Sequence, residues 1–163
     1  MPMSECSWPT VARVVKNPGD LDAVRELWRE YWKSLDLADD FQGFGEELRG
    51  LPGKYGEDGG SLLIAWIEGA PAGTIALRRL DHRAGEVKRL YLRPQFRGRG
   101  LGRHLVEQVI ARAREIGYET LYADTLPIMT DALNLYARMG FENTGAYTVD
   151  PTPGAIFLKL RLP

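Results

Sequence analysis

The chain has little sulfur and little histidine to work with. Cys6 is the only cysteine among 163 residues, so no intrachain disulfide frame and no thiolate metal cluster can form. His82 and His104 are the only histidines, and neither has a His or Cys partner at ligand spacing, so no metal is expected. No apolar run is long enough to span a bilayer. The opening residues, with Glu5, Trp8 and Pro9, lack the apolar core of a secretory signal. A cytoplasmic protein that does not enter the membrane is the resulting expectation. Internal repeats and low-complexity tracts are missing too, and 44% hydrophobic with 26% charged residues is ordinary for a globular chain. One domain over residues 1–163 follows.

Charge is present but unevenly spread. The net value is −1, yet acids outnumber bases up to Gly60, while from Arg78 to Arg103 nine basic residues face only Asp81 and Glu86. Such asymmetry fits an anionic ligand on one surface and a cationic one on another, and it equally fits two solvated faces of opposite sign.

Turn and cap residues divide the chain. Val11–Val15 is a short β-rich run. Asn17-Pro18-Gly19-Asp20 has the order of a helix start, with a cap, a proline at the first position and an acid at the positive end of the dipole. Leu21, Val24, Leu27, Trp28, Tyr31 and Leu35 continue it at helical spacing. A second helix is predicted over Asp40–Leu51, stopped by Gly50 and Pro52. Ser61–Ile67, Ala72–Arg79 and Glu86–Leu92 read as an antiparallel meander. A helix containing Leu105, Val106, Val109, Ile110 and Ala113 follows, closed by Gly117 as a left-handed cap. Thr120–Ala123 is a strand placed to run parallel to a neighbour. A helix over Thr130–Met139, a strand over Phe141–Tyr147 and a last strand over Ala155–Leu162 complete a β-α-α-β-β-β-α-β-α-β-β order. The class is mixed α/β (α+β), with a mostly antiparallel sheet flanked by helices.

Between the third meander strand and the next helix lies Arg93-Pro94-Gln95-Phe96-Arg97-Gly98-Arg99-Gly100-Leu101-Gly102-Arg103. A glycine-rich loop at a helix N-terminus presents backbone N–H groups to an anion, and the flanking Arg97 and Arg99 favour phosphate. The loop lacks the Gly-Lys-Ser/Thr of a nucleoside-triphosphate site. Gly98, Gly100 and Gly102 give G-x-G-x-G rather than the G-x-G-x-x-G of a dinucleotide site.

Arg97 through Gly102 resembles the R/Q-x-x-G-x-G/A motif of the GNAT superfamily of N-acetyltransferases. Ala132, Leu135-Tyr136 and Gly140-Phe141 resemble that superfamily's A-x-x-L-Y-x-x-x-G-F signature, and the order of elements is similar over nearly the whole chain. The resemblance implies acetyl-CoA as the acyl donor. It places the pyrophosphate on the backbone of Arg97, Gly98, Arg99, Gly100, Leu101, Gly102 and Arg103. The pantetheine arm would lie beside Leu90, Tyr91 and Leu92, with Ala132 small enough to let it pass. Ile128 stands where many members carry an asparagine near that arm.

Transfer to an amine requires removal of a proton, polarisation of the thioester carbonyl and stabilisation of the departing thiolate. The resemblance assigns the last role to Tyr136. Glu86 is the base candidate, alternation placing it with Lys88, Leu90 and Leu92 on one side of the strand. The other reading of Glu86 is an exposed edge charge paired with Lys88 or Arg83. The oxyanion donor is expected at a backbone N–H near Leu92.

For the acceptor, Tyr31, Trp32, Phe41, Gln42, Phe44, Glu47 and Tyr147 are the candidates, with Trp32 and Phe44 alternatively core, and local acidity suits a cationic amine. The acceptor is expected to be a small-molecule or peptide amine, and a homodimer through the final strands is a further expectation. The alternative to catalysis is an acyl-CoA sensor of the same fold. Nucleic acid is disfavoured, since the arginines alternate with glycine without an aromatic platform.

Overall fold

A computed structural model describes residues 10–13, 17–36, 43–149 and 151–163. Its seven strands form one sheet in the order β1-β2-β3-β4-β5-β7-β6. They are β1 (Thr10–Arg13), β2 (Ser61–Ile67), β3 (Ala70–Arg79), β4 (Ala84–Leu92), β5 (Thr120–Thr125), β6 (Glu142–Thr144) and β7 (Ile156–Arg161). Only β4 and β5 run parallel; every other pairing is antiparallel. The helices are α1 (Pro18–Ser34), α2 (Phe44–Arg49), α3 (Leu101–Ile116) and α4 (Thr130–Arg138). This is the predicted order and class.

The caps form as the residue types require. The Asn17 side chain accepts hydrogen bonds from the N–H groups of Gly19 (2.9 Å) and Asp20 (3.3 Å), opening α1. Gly117 closes α3 at φ 100°, where its N–H and that of Tyr118 both reach the Ala113 carbonyl. Some bounds differ from the predicted ones. Helix α2 begins at Phe44, the Asp40–Gln42 part of the expected helix lying outside the described residues. Strand β6 stops at Thr144, after which the chain turns and carries Tyr147 back against Tyr122 and Phe157.

Two apolar layers cover the sheet. On one face α3 buries Leu101, Leu105, Val106, Val109 and Ala113 against Leu63, Ile75, Leu77, Val87 and Leu121. On the other, α1 and α2 bury Leu27, Trp28, Trp32, Phe44 and Leu48 against Leu62, Ile64 and Ala76.

Strand β4 carries one extra residue. Ala76 pairs with Lys88 and Thr74 with Tyr91, so two steps on β3 match three on β4. The surplus residue is Arg89, in left-handed conformation at φ 59°. The bulge overturns the predicted alternation. Glu86 and Lys88 share the α1/α2 side with their partners Arg78 and Ala76, whereas Leu90 and Leu92 pack into the α3 layer.

Buried Arg89 lies over the rings of Trp28, Trp32 and Phe44 at 5.7, 5.0 and 5.5 Å and donates to Glu47 at 2.7 Å. Trp32 and Phe44 stack 4.1 Å apart beneath it. Burial alone would push the Glu47 carboxyl up, but the Arg89 charge, with hydrogen bonds from Arg89 and Tyr55, holds it below the ordinary value. Its stabilising contribution is therefore present above the unfolded-state value and is lost as pH falls through the lower folded one. Glu47→Gln leaves a buried guanidinium without its counter-charge. We expect it to lower unfolding free energy by about 3 kcal/mol in urea titrations at neutral pH.

Candidate active site

Strands β4 and β5 are paired over four rows, from Ala84 opposite Thr120 to Val87 opposite Ala123. Beyond that row they separate, and the gap between them is the centre of the site. Its first wall residues are Lys88 on β4 and Asp124 on β5. A small cavity of about 30 Å³ sits in the gap, bordered by Tyr31, Lys88, Leu90, Asp124, Ala132 and Tyr136, among others. That is space for one or two water-sized groups. A cleft of about 610 Å³ opens on the α2 side and shares Lys88, Arg89 and Asp124 with the small cavity.

The open edge of β4 has unused backbone groups. The Arg93 N–H bonds to the Ala72 carbonyl on the β3 side, so alternation turns Tyr91 toward β3 and Leu90 and Leu92 toward the gap. Of the three residues expected to meet the arm, Leu90 and Leu92 thus turn their backbone groups to the gap and Tyr91 turns its own to β3. The Leu92 carbonyl accepts from Arg97 Nε at 2.9 Å, with the Arg97 guanidinium 5.7 Å above the Tyr91 ring. Separation of the strands leaves that carbonyl without a sheet partner, and the arginine supplies one.

Next comes the glycine loop. Gly98 and Gly100 sit at φ 79° and 83°, a region that a side chain would strain. The first α3 hydrogen bond runs from His104 N–H to the Gly100 carbonyl, which leaves the N–H groups of Leu101, Gly102 and Arg103 without helical acceptors. A Cβ at Gly102 would come within 3.1 Å of Leu135 and 3.3 Å of Leu92, so a larger residue there would need both leucine side chains to shift by a few tenths of an ångström. With Arg97 turned to Leu92 and Arg103 paired with Glu107 at 2.9 Å, the anion site here is mainly backbone. These features fit a pyrophosphate, and the adjoining gap fits an extended arm.

Tyr136 is buried and packs on Phe141 at 4.9 Å, with one side on the small cavity. Burial pushes its hydroxyl upward, and Tyr31 and Asp124 add to the effect, so it stays protonated. Tyr31 borders the same cavity and is pushed up to about 12, chiefly by burial.

Glu86 is no exposed edge charge. It is 1% exposed, and both its oxygens are engaged: Arg78 Nε donates to Oε1 at 2.6 Å and the Tyr147 hydroxyl to Oε2 at 2.7 Å. Its charged partners are Arg78 on the neighbouring strand and, at 4.0 Å, the expected Lys88, but not Arg83. Tyr147 thus enters the site through Glu86. Trp32 and Phe44 do not line either cavity; they form the bed under Arg89, because α1 and α2 close over them. Gln42 and Phe41 lie outside the described residues. Among those described, no group of three His, Cys, Asp or Glu side chains is arranged to hold a metal, and no helix is long and apolar enough to cross a membrane.

Sequence reasoning missed Asp124. Its carboxylate borders both cavities, and burial pushes it above the ordinary value, partly offset by Lys88. An acid in the interior of a sheet strand is itself a signal. Thr120-Leu121-Tyr122-Ala123-Asp124-Thr125 carried it.

Known proteins resemble this chain in sequence and fold. The chain is 35% identical over 150 residues to an uncharacterized N-acetyltransferase of Schizosaccharomyces pombe, covering 91% of this chain and 92% of that one. It is 28% identical to an uncharacterized N-acetyltransferase of Dictyostelium discoideum, covering 93% and 99%. A solved acetyltransferase from Streptococcus agalactiae superposes with a TM-score of 0.81 at 21% identity, covering 94% of this chain and 98% of that one. The yncA structure from Salmonella typhimurium with its cofactor acetyl-CoA gives a TM-score of 0.74 at 21% identity, covering 95% and 94%. The model of the acetyltransferase (GNAT) family matches residues 21–141, and the chain belongs to that family of acetyl-CoA-dependent N-acetyltransferases.

Proposed function

We propose that this chain transfers the acetyl group directly to a primary amine while donor and acceptor are bound together. One observation carries the reading: the cleft and the small cavity meet at Lys88, Arg89 and Asp124, with Tyr136 and Ala132 on the cavity's far side. An amine in the cleft can then reach the gap without any residue carrying the acetyl group between sites. Bound acetyl-CoA supplies the acetyl group as an activated thioester.

The chain's residues divide the remaining work. The N–H groups at the start of α3 hold the pyrophosphate, and the open edge of Leu90 and Leu92 aligns the arm in strand-like fashion. The backbone near Leu92 faces the carbonyl oxygen as charge builds there. Asp124 takes a proton from the acceptor ammonium, exposing the nitrogen lone pair. As the C–N bond forms and the C–S bond breaks, Tyr136 donates its O–H to the departing sulfur. The nitrogen sheds a second proton, so the sum is an amide, a thiol and one proton released to solvent.

The base role falls to Asp124 rather than Glu86. Arg78 and Tyr147 already occupy both Glu86 oxygens, whereas the Asp124 carboxylate borders both the cleft and the small cavity. Glu86 instead fixes the position of Tyr147 and of the cleft wall.

Gly100→Val is expected to weaken acetyl-CoA binding about tenfold or more by calorimetry, since a branched side chain costs about 1–3 kcal/mol at a left-handed position. Tyr136→Phe should lower kcat roughly 100-fold with little change in acetyl-CoA affinity; full activity at every pH would make Tyr136 a packing residue. Asp124→Asn should lower kcat/KM by about the same factor and remove the acid limb of its pH profile, which in the parent lies above the ordinary aspartate range. The sign for stability is opposite. A carboxyl raised on folding contributes fully below its unfolded value and loses that contribution as pH rises through the folded one. Asp124→Asn should therefore melt higher than the parent at pH 7. A chain that binds acetyl-CoA yet releases no thiol with any amine would instead be a sensor of acyl-CoA.

A further inference from the structure

Around the acceptor cleft, charge is balanced in number but not in pairing. Four acidic and four basic side chains line it. Arg78 with Glu86 at 2.6 Å and Arg89 with Glu47 at 2.7 Å neutralise one another within its walls. Glu46 and Lys54 sit on the exposed rim. At the deep end this leaves one ammonium, Lys88, and one carboxylate, Asp124.

These two groups face each other without pairing. They follow directly on the last paired row, Val87 opposite Ala123, so one stands on each wall of the gap. Both border the small cavity and the cleft. No ion pair joins them. The nearest acid to Lys88 is Glu86 at 4.0 Å, through an oxygen that already accepts from Arg78, and among the described residues the Lys88 ammonium has no hydrogen-bond partner. Arg89, on the same wall, keeps a buried Nε without a partner. Burial pushes the Lys88 ammonium below its ordinary value and the Asp124 carboxyl above its own, and the opposite charges nearby, Glu86 for Lys88 and Lys88 for Asp124, offset this only in part. Two half-buried opposite charges separated across a cavity are best satisfied by a guest that presents the complementary pair.

We propose that the acceptor is a zwitterion, a free amino acid or a closely similar amine with a carboxylate a few bonds away. Lys88 binds its carboxylate, and Asp124 receives its ammonium. The proposal rests on the acetyl-transfer reading above and sharpens it. A peptide N-terminus has no carboxylate at that distance, so small acceptors are favoured over polypeptides. About 610 Å³ of cleft leaves room for a side chain of any size.

The test is thiol release from acetyl-CoA with matched sets of acceptors: each common amino acid, its amide and its decarboxylated amine. At least one amino acid should exceed its amide and its amine in kcat/KM by roughly 10- to 100-fold, the usual worth of a charged hydrogen bond. Lys88→Met should collapse that ratio by a similar factor, and Lys88→Arg should restore part of it. Because the ratio is taken within one variant, a general loss of folded protein cancels. Amides and amines turned over as well as the amino acids would overturn the zwitterion while leaving acetyl transfer in place. So would a preference for amino acids that survives intact in Lys88→Met. No thiol release with any acceptor, in protein that binds acetyl-CoA by calorimetry, would overturn both.

Discussion

A single surplus residue in β4 governs how the two halves of the site relate. Arg89 takes a left-handed conformation, which costs a non-glycine residue on the order of 1–3 kcal/mol. Its side chain holds it there, through Glu47 on one side and three aromatic rings below. The consequence is a change of parity along the strand. Before the bulge, Glu86 and Lys88 address the acceptor cleft; after it, Leu90 and Leu92 pack toward α3 while their backbone borders the gap. A regular strand would put charged and apolar residues of this segment on one face, and no arrangement of helices could satisfy both.

Most of the architecture was legible because local chemistry decides it. Asn17, Gly117 and the glycines of the loop act through their own backbone, so their effects are written in the sequence. Apolar periodicity located α1 and α3 for the same reason. The bulge was not legible, since a surplus residue is defined only against the partner strand, and Lys88-Arg89-Leu90 has no glycine to announce it. Trp32 and Phe44 looked available for an acceptor until two helices closed over them. Tyr147, a candidate for the acceptor, lines neither cavity and makes an unforeseen contact instead: its hydroxyl meets Glu86 after β6 ends early. Of the expected chemistry, Tyr136 and Ala132 do come to the same cavity, and Glu86 lies in the cleft beside it. Asp124 escaped notice because its position beside both cavities depends on where β5 parts from β4.

Pairing also separates charges that shape the protein from charges that remain available. In a low-dielectric wall, the pairs Arg78–Glu86 and Arg89–Glu47 use most of their potential on each other. Such pairs define the shape of the cleft and contribute little to attracting a guest. Lys88 and Asp124 have the opposite character. Each is desolvated enough to matter and makes no close ion pair, Lys88 reaching Glu86 only at 4.0 Å, so their charge remains available to a guest in the cleft.

The sheet is joined at its middle by only the four rows linking β4 and β5, and this gives it the mechanics of a pair of tongs. Four strands form one jaw and three the other, with the pivot at Val87 and Ala123. Beyond the pivot β4 runs five residues to Leu92, a lever of about 16 Å. Flexing the jaws by about 5° would shift the tip by about 1.4 Å but the first residue past the pivot by only about 0.3 Å. Compliance is thus greatest at the Leu92 end of the gap, beside the glycine loop. The smallest displacement falls at Lys88 and Asp124, next to the last paired row.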